Sequence, residues 1–140
     1  MELVVDTNVV IAGFLRSATT RELLLDERLT LWAPEYLLTE AARVVSAPRL
    51  RRRLGSLSPE DIRAVLSQVT SRIRIAPAGT FRLKLPAAKA LVADPEDAPF
   101  LALALQLQLP LWSNDAPLRT QSVVRVYTTD DVLSILQGRS

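Results

Sequence analysis

Apolar positions run along this chain in two rhythms, short β-branched runs and longer stretches of helical period, and their alternation predicts the fold class. Leu3-Val4-Val5 ends at Asp6 and reads as a buried strand. A helical stretch follows from about Thr20 to Glu27, carrying Leu23, Leu24 and Leu25. Leu29 to Ala33 reads as a second strand, and Pro34 suits the first turn of a helix running to about Ser46. Ala47-Pro48 interrupts that helix, and Arg49 to Leu54 forms a short helical piece closed by Gly55. Ser58-Pro59-Glu60-Asp61 is a strong helix start: Ser58 can cap, Pro59 fits the first position, and Asp61 approximates a capping box. That helix runs to about Thr70. Arg72 to Ala76 alternates and reads as a strand, whereas Pro77 to Ala93, with Pro77, Gly79 and Pro86, reads as mostly loop with room for one helical turn. Asp94-Pro95-Glu96-Asp97 opens a helix that reaches about Leu107. Pro110 to Ser113 and Val123 to Thr128 are strands, and Thr129-Asp130-Asp131 caps a last helix ending near Gly138.

Strands alternating with helices imply right-handed crossovers and a parallel sheet covered on both faces. The predicted architecture is a three-layer α/β/α sandwich around about five strands, as one domain spanning residues 1–140. No internal repeat, low-complexity run or linker interrupts the pattern. The first residues lack a basic stretch followed by a long apolar run, and the apolar stretch Phe100 to Leu109 contains two glutamines and is too short to span a bilayer. The expectation is a cytoplasmic protein.

Composition narrows the chemistry sharply. The chain has no cysteine and no histidine. Disulfides, thiolate chemistry and cysteine-ligated zinc are excluded, and so are the commonest general base and the commonest metal ligand. Catalysis must run on carboxylates, hydroxyls, Lys, Arg or a hard metal ion. Charge is unevenly placed: Ala41 to Ala93 holds eleven Lys/Arg against Glu60 and Asp61, about +9, while the remainder is about −7. An ordinary solvated face accounts for such a run; so does an acidic centre beside a basic flank, which suits a phosphodiester.

The candidate acids sit at predicted element boundaries. Asp6 follows the first strand and Asp115 follows the Pro110–Ser113 strand. In open parallel sheets ligands bind beyond the carboxyl ends of strands, where strand order reverses. If those two strands are neighbours, both carboxylates meet there; each alone also reads as a helix N-cap. Glu40 falls on the stripe marked by Leu37, Ala41, Val44 and Val45, where a carboxylate must be paired, protonated or metal-bound. Asp97 reads either as a cap or as a member of the same group; the helix after it, Phe100-Leu101-Ala102-Leu103-Ala104-Leu105, is apolar on all sides and must be buried. Four such acids near one point repel, and make sense around one or two hard cations, Mg²⁺ or Mn²⁺.

Asp6-Thr7-Asn8-Val9, Glu40 on its helix, Asp94-Pro95-Glu96-Asp97 before an Ala/Leu-rich helix, and Ser113-Asn114-Asp115 after a strand resemble, in order and spacing over nearly the whole chain, the PIN (PilT N-terminus) domain family. The likeness is nearest to the toxin components of toxin–antitoxin pairs, with Ala47-Pro48-Arg49-Leu50 and the arginines after it also similar to that subgroup. The resemblance implies a sheet order of 3-2-1-4-5, with the Asp6 and Asp115 strands side by side. It implies that Asp6, Glu40, Asp97 and Asp115 are the catalytic and metal-binding set. Asp97 is preferred over Asp94, an accessory candidate, because it stands seven residues before Ala104, as the family's acid does. Thr7 or Asn8, together with Ser113, look like the residues that orient the carboxylates, and Asn114 beside Asp115 is a departure from the pattern. Implied with these are metal-assisted hydrolysis of single-stranded or loop RNA, a homodimer, and an antitoxin protein inserting a basic side chain among the acids.

Arg43, Arg49, Arg51, Arg52 and Arg53 are the candidates for gripping an RNA backbone. Aromatics make up 5% of the chain, too few to suggest a base-stacking platform. One alternative is a non-catalytic module of the same fold that binds RNA or protein. Another is an aspartyl-phosphate phosphatase, but Asn8 occupies the place of its second acid, and Lys84 and Lys89 lie far from any predicted strand end.

Overall fold

In the computed structural model, which describes residues 1–55 and 57–138, five strands pair in the order β3-β2-β1-β4-β5, all parallel. They are β1 (Glu2–Val5), β2 (Thr30–Pro34), β3 (Ile73–Ala76), β4 (Leu111–Trp112) and β5 (Val126–Tyr127). The helices are α1 (Thr7–Leu15), α2 (Ala18–Leu24), α3 (Tyr36–Ser46), α4 (Pro48–Leu54), α5 (Pro59–Thr70), α6 (Ala78–Phe81), α7 (Leu85–Leu91), α8 (Ala98–Leu107) and α9 (Thr129–Leu136), with 3₁₀ turns at Arg82–Lys84, Pro95–Asp97 and Ala116–Thr120. The three-layer parallel architecture and its strand order are as expected. Val4 and Val5 of β1, Leu31 and Ala33 of β2, Leu111 and Trp112 of β4, and Phe100 to Ala104 of α8 are all buried in one hydrophobic cluster. Among the described residues, no helix is long and apolar enough to cross a membrane.

Five local expectations need correction. Helix α1 was not predicted, because Val9, Val10 and Ile11 are β-branched and favour strands. Burial overrides that preference: Thr7, Val9, Val10, Ile11, Gly13 and Phe14 are all buried, and Asp6 caps the helix. Gly13 also lets α1 and α2 close on one another, since a Cβ there would stand 2.6 Å from Leu24 Cδ1.

The stretch from Pro77 to Ala93 is mostly helical rather than loop. Its prolines stand at helix starts, Pro77 at the cap position of α6 and Pro86 in the first turn of α7, where a missing N–H costs nothing. Pro34, in turn, ends β2 instead of opening α3. At the far edge, Val123 and Val124 leave the strand because Gln121 organises a turn around them. Its Oε1 accepts from their N–H groups at 3.0 and 2.9 Å, while its Nε2 donates to the Leu118 and Val124 carbonyls. Thr128, not Thr129, caps α9, in a reciprocal box with Asp131. The predicted box of Ser58 and Asp61 is present at the start of α5.

Candidate active site

The chain leaves β1 toward β2 on one side, while β4 lies on the other, so the order of strand connection reverses between β1 and β4 although every strand is parallel. Val5 stands opposite Trp112, and the Asp6 N–H donates to the Trp112 carbonyl at 3.0 Å. The next residues, Asp6 and Ser113, are therefore abreast at the carboxyl ends of their strands. Ser113, fully buried, donates its hydroxyl to Asp6 Oδ2 at 2.7 Å and accepts the Asp115 N–H at 3.0 Å. One hydroxyl thus orients the first acid and the backbone of the second.

Asp6 is buried, and burial pushes its pKa up. The Ser113 hydroxyl and the Asn8 N–H, at 3.3 Å, pull it back down, and the charge of Asp115 raises it again. Asn8 supplies that backbone donor while its own side chain is exposed. Asn114 turns the other way: it donates to Thr129 Oγ1 at 2.9 Å and accepts the Thr129 N–H at 2.8 Å, tying the end of β4 to α9. Asp115, and not Asn114, is the residue whose field reaches Asp6 and Asp97.

The acidic turn before α8 divides its labour in a similar way. Asp94 caps the 3₁₀ turn by accepting the Glu96 N–H at 3.0 Å. Asp97 occupies the cap position of α8 but makes no side-chain cap bond. Its pKa is pushed up to about 7, first by burial and then by the charges of Asp6, Asp94, Asp115 and Glu40. A carboxylate without a capping partner, sitting in the summed field of four others, is poorly explained as a helix cap.

Glu40 projects from α3 between buried Leu37 and Ala41 and is itself half-buried. Its pKa is raised, mainly by burial; Thr7 favours its ionised form, Asp6 and Glu96 oppose it, and Arg43 favours it again. The Thr7 hydroxyl oxygen is buried and makes no hydrogen bond of proper geometry, so it faces Glu40 with bonding capacity unspent. The four predicted acids thus share one electrostatic neighbourhood, drawn from the ends of β1 and β4, the face of α3 and the start of α8.

Among the described residues, no three acids are gathered tightly enough to hold a metal ion as they stand. The donor set still fits a hard divalent cation. It is all oxygen, no cation among the described residues offsets the acids around Asp97, and it includes an orphaned buried hydroxyl.

Of the predicted phosphate-gripping residues, Arg49, Arg51, Arg52 and Arg53 line α4, exposed, with Leu50 as the buried anchor; none of them is ion-paired among the described residues. Arg43 differs, because it is paired with Glu96 at 3.0 Å. Tyr36 donates to the same Glu96 oxygen at 3.0 Å. Tyr36 and Glu96 were missed in the sequence. The signal available was Tyr36 standing four residues before Glu40 and seven before Arg43, on one helix face.

A family model described as the PIN domain matches residues 4–136. A comparison with curated proteins found none that matches. Among solved structures, the chain is similar to PAE2754 from Pyrobaculum aerophilum (17% identity, TM-score 0.71, covering 99% of this chain and 91% of that one). It is also similar to VapBC2 from Rickettsia felis bound to a DNA fragment from their promoter (16% identity, TM-score 0.63, covering 91% and 98%). A toxin–antitoxin complex from Klebsiella pneumoniae gives 17% identity, a TM-score of 0.63, and coverage of 91% and 97%. At these identities the solved structures establish a shared fold.

Proposed function

The chain belongs to the PIN-domain family, and from that premise we propose that it is a metal-dependent endoribonuclease acting on single-stranded or loop RNA, the toxin member of a toxin–antitoxin pair. The observation that carries the reading is the convergence on Asp97, whose pKa is pushed up to about 7 by burial and by the charges of Asp6, Asp94, Asp115 and Glu40. Burial and mutual repulsion of that kind would both be relieved by a bound cation, and that supports the reading.

Asp6, Asp97 and Asp115 would hold Mg²⁺ or Mn²⁺, with Glu40 binding a second ion or orienting the attacking water. The bound metal supplies an activated water and stabilisation of the leaving oxygen. The chain's own residues do the rest. Ser113 fixes the rotamer of Asp6 through its 2.7 Å bond. Thr7 favours the anionic form of Glu40, the form needed to accept a proton. Burial at the sheet end limits bulk water around Asp6. Arg49, Arg51, Arg52 and Arg53 on α4 offer the cationic flank on which the RNA backbone rests.

A toxin–antitoxin complex among the similar structures supports a protein partner; the unbalanced negative charge around Asp97 suits one that inserts a basic side chain among the acids, and we propose a homodimeric toxin. The test is cleavage of pooled RNA by the purified protein with Mg²⁺ or Mn²⁺, against EDTA and against Asp6→Asn. Cleavage that persists in excess EDTA, or in a homogeneous preparation of the variant, rules the mechanism out.

A further inference from the structure

Tyr36, Glu40 and Arg43 stand at i, i+4 and i+7 along α3, on one helix face. Arg43, three residues after Glu40, is placed for the ordinary i, i+3 ion pair with it. The structure makes a different pair. Arg43 Nη1 donates to Glu96 Oε1 at 3.0 Å, and the Tyr36 hydroxyl donates to that same oxygen at 3.0 Å. Glu96 comes from the 3₁₀ turn before α8 and is anchored there by its own N–H, which donates to Asp94. Tyr36 is anchored by Phe100 of α8, which its ring meets edge-on at 6.5 Å between centroids. The hold on Arg43 is therefore built from the same two elements that carry Glu40 and Asp97.

As a stabilising device this pair is weak, since Arg43 is 58% and Glu96 48% exposed. Its consequence is one of direction. A guanidinium carries five N–H donors in a fixed fork, and the pair with Glu96 occupies only one edge of it. Released, the long side chain would be drawn toward Glu40, three residues before it on the same helix, and would compete there with any cation. Held, it leaves Glu40 free and stands beside the acid group with donors to spare.

We propose that Glu96 is a positioning residue: it holds Arg43 off Glu40 and at the rim of the acidic site, where the free guanidinium edge takes a phosphate of the substrate strand. This rests on the nuclease reading above. It also removes Glu96 from the acids that bind metal, although it lies between Asp94 and Asp97 in sequence.

The experiment uses the full chain and compares wild type with E96Q, R43A and the double variant. Thermal unfolding titrated with Mn²⁺, without RNA, reads the metal site. Binding of labelled single-stranded RNA across a salt series, in an Asp6→Asn background that keeps the strand intact, reads the phosphate contact. E96Q is expected to need severalfold more Mn²⁺ for half-maximal stabilisation, and the double variant to return to the wild-type value, because the competing guanidinium is gone. R43A is expected to weaken RNA binding and to reduce the log–log salt slope by about 0.7, one contact on a single strand. An Mn²⁺ response in E96Q equal to wild type, or one that R43A does not rescue, overturns the positioning role. An unchanged salt slope in R43A overturns the phosphate contact. A wild-type protein that neither responds to Mn²⁺ nor binds RNA overturns the nuclease reading itself, which is a different result from inert variants in a responsive wild type.

Discussion

Replacing Asp97 with Asn should stabilise the metal-free protein above neutral pH while removing its response to metal. Asp97 has its pKa pushed up to about 7, whereas in the unfolded chain an aspartate ionises near pH 4, about 3.9. Below pH 4 the group is protonated in both states. Between pH 4 and 7 the unfolded chain releases the proton and the folded chain keeps it, so stability falls as pH rises through that window, and above 7 the whole penalty is present. A displacement this large would correspond to about 4 kcal/mol if fully felt; for a half-buried group solvent screening leaves about 1–2 kcal/mol. The helix dipole at the start of α8 acts the other way by about 0.3–1 kcal/mol, which is not enough to reverse the sign. For a chain of this length about 1 kcal/mol moves the melting temperature by roughly 3–4 °C, so Asp97→Asn should melt about 3–8 °C above wild type at pH 8 in EDTA. The gap should close toward pH 4, where neither protein carries the charge. Saturating Mn²⁺ should reverse the order, because a ligand selective for the folded state stabilises wild type by mass action and the variant far less. The assay is thermal unfolding of both proteins from pH 4 to pH 8, with EDTA and with Mn²⁺. A variant that melts at or below wild type at pH 8 in EDTA would show that Asp97 is held by a structural contact, and the electrostatic argument for the site would fail.

Asp6→Asn should abolish cleavage with a smaller change in apo stability, since Asn keeps one oxygen to accept the Asn8 N–H and its amide NH2 can donate to Ser113 Oγ in place of the bond that the lost oxygen accepted; a metal-dependent activity surviving in it would remove the site's central residue. Ser113→Ala should lower activity while leaving the protein folded, because it deletes the 2.7 Å bond that orients Asp6 and the acceptor for the Asp115 N–H; losing a buried bond of this kind costs about 1–3 kcal/mol in stability, and unfolding measurements beside kinetics separate the two effects. Joint replacement of Arg51, Arg52 and Arg53 with Ala should weaken RNA binding and flatten its salt dependence by about 0.7 in log–log slope per lost contact, and an unchanged slope would make α4 a solvated or partner-facing surface. Light scattering should show a dimer at micromolar protein, and a monomer would count against the assembly proposed here.

Much of the frame can be read from local pattern, because local pattern is what decides it. The run Leu3-Val4-Val5 before Asp6, the Ser58–Asp61 box and the uniformly apolar Phe100–Leu105 each specify their element through nearest-neighbour physics, and each appears as expected. The absence of His and Cys confines the chemistry to oxygen ligands before any fold is known. Local preference misleads where burial outweighs it: α1 is helical although it is rich in β-branched residues, because nearly every side of it is enclosed. The site depends on a different kind of information. Asp94, Glu96 and Asp97 are neighbouring acids that local pattern alone does not separate, only family spacing favouring Asp97, yet one caps a turn, one pairs with Arg43 on another helix and one is left in the field of the others. Asn114 and Asp115 separate in the same way, by whether Thr129 or the β1–β4 junction lies within reach. Composition and period determine which chemistry and which elements are possible. The direction of each side chain is decided by backbone torsions at a cap and by partners tens of residues away, and these exist only once β1 and β4 lie side by side.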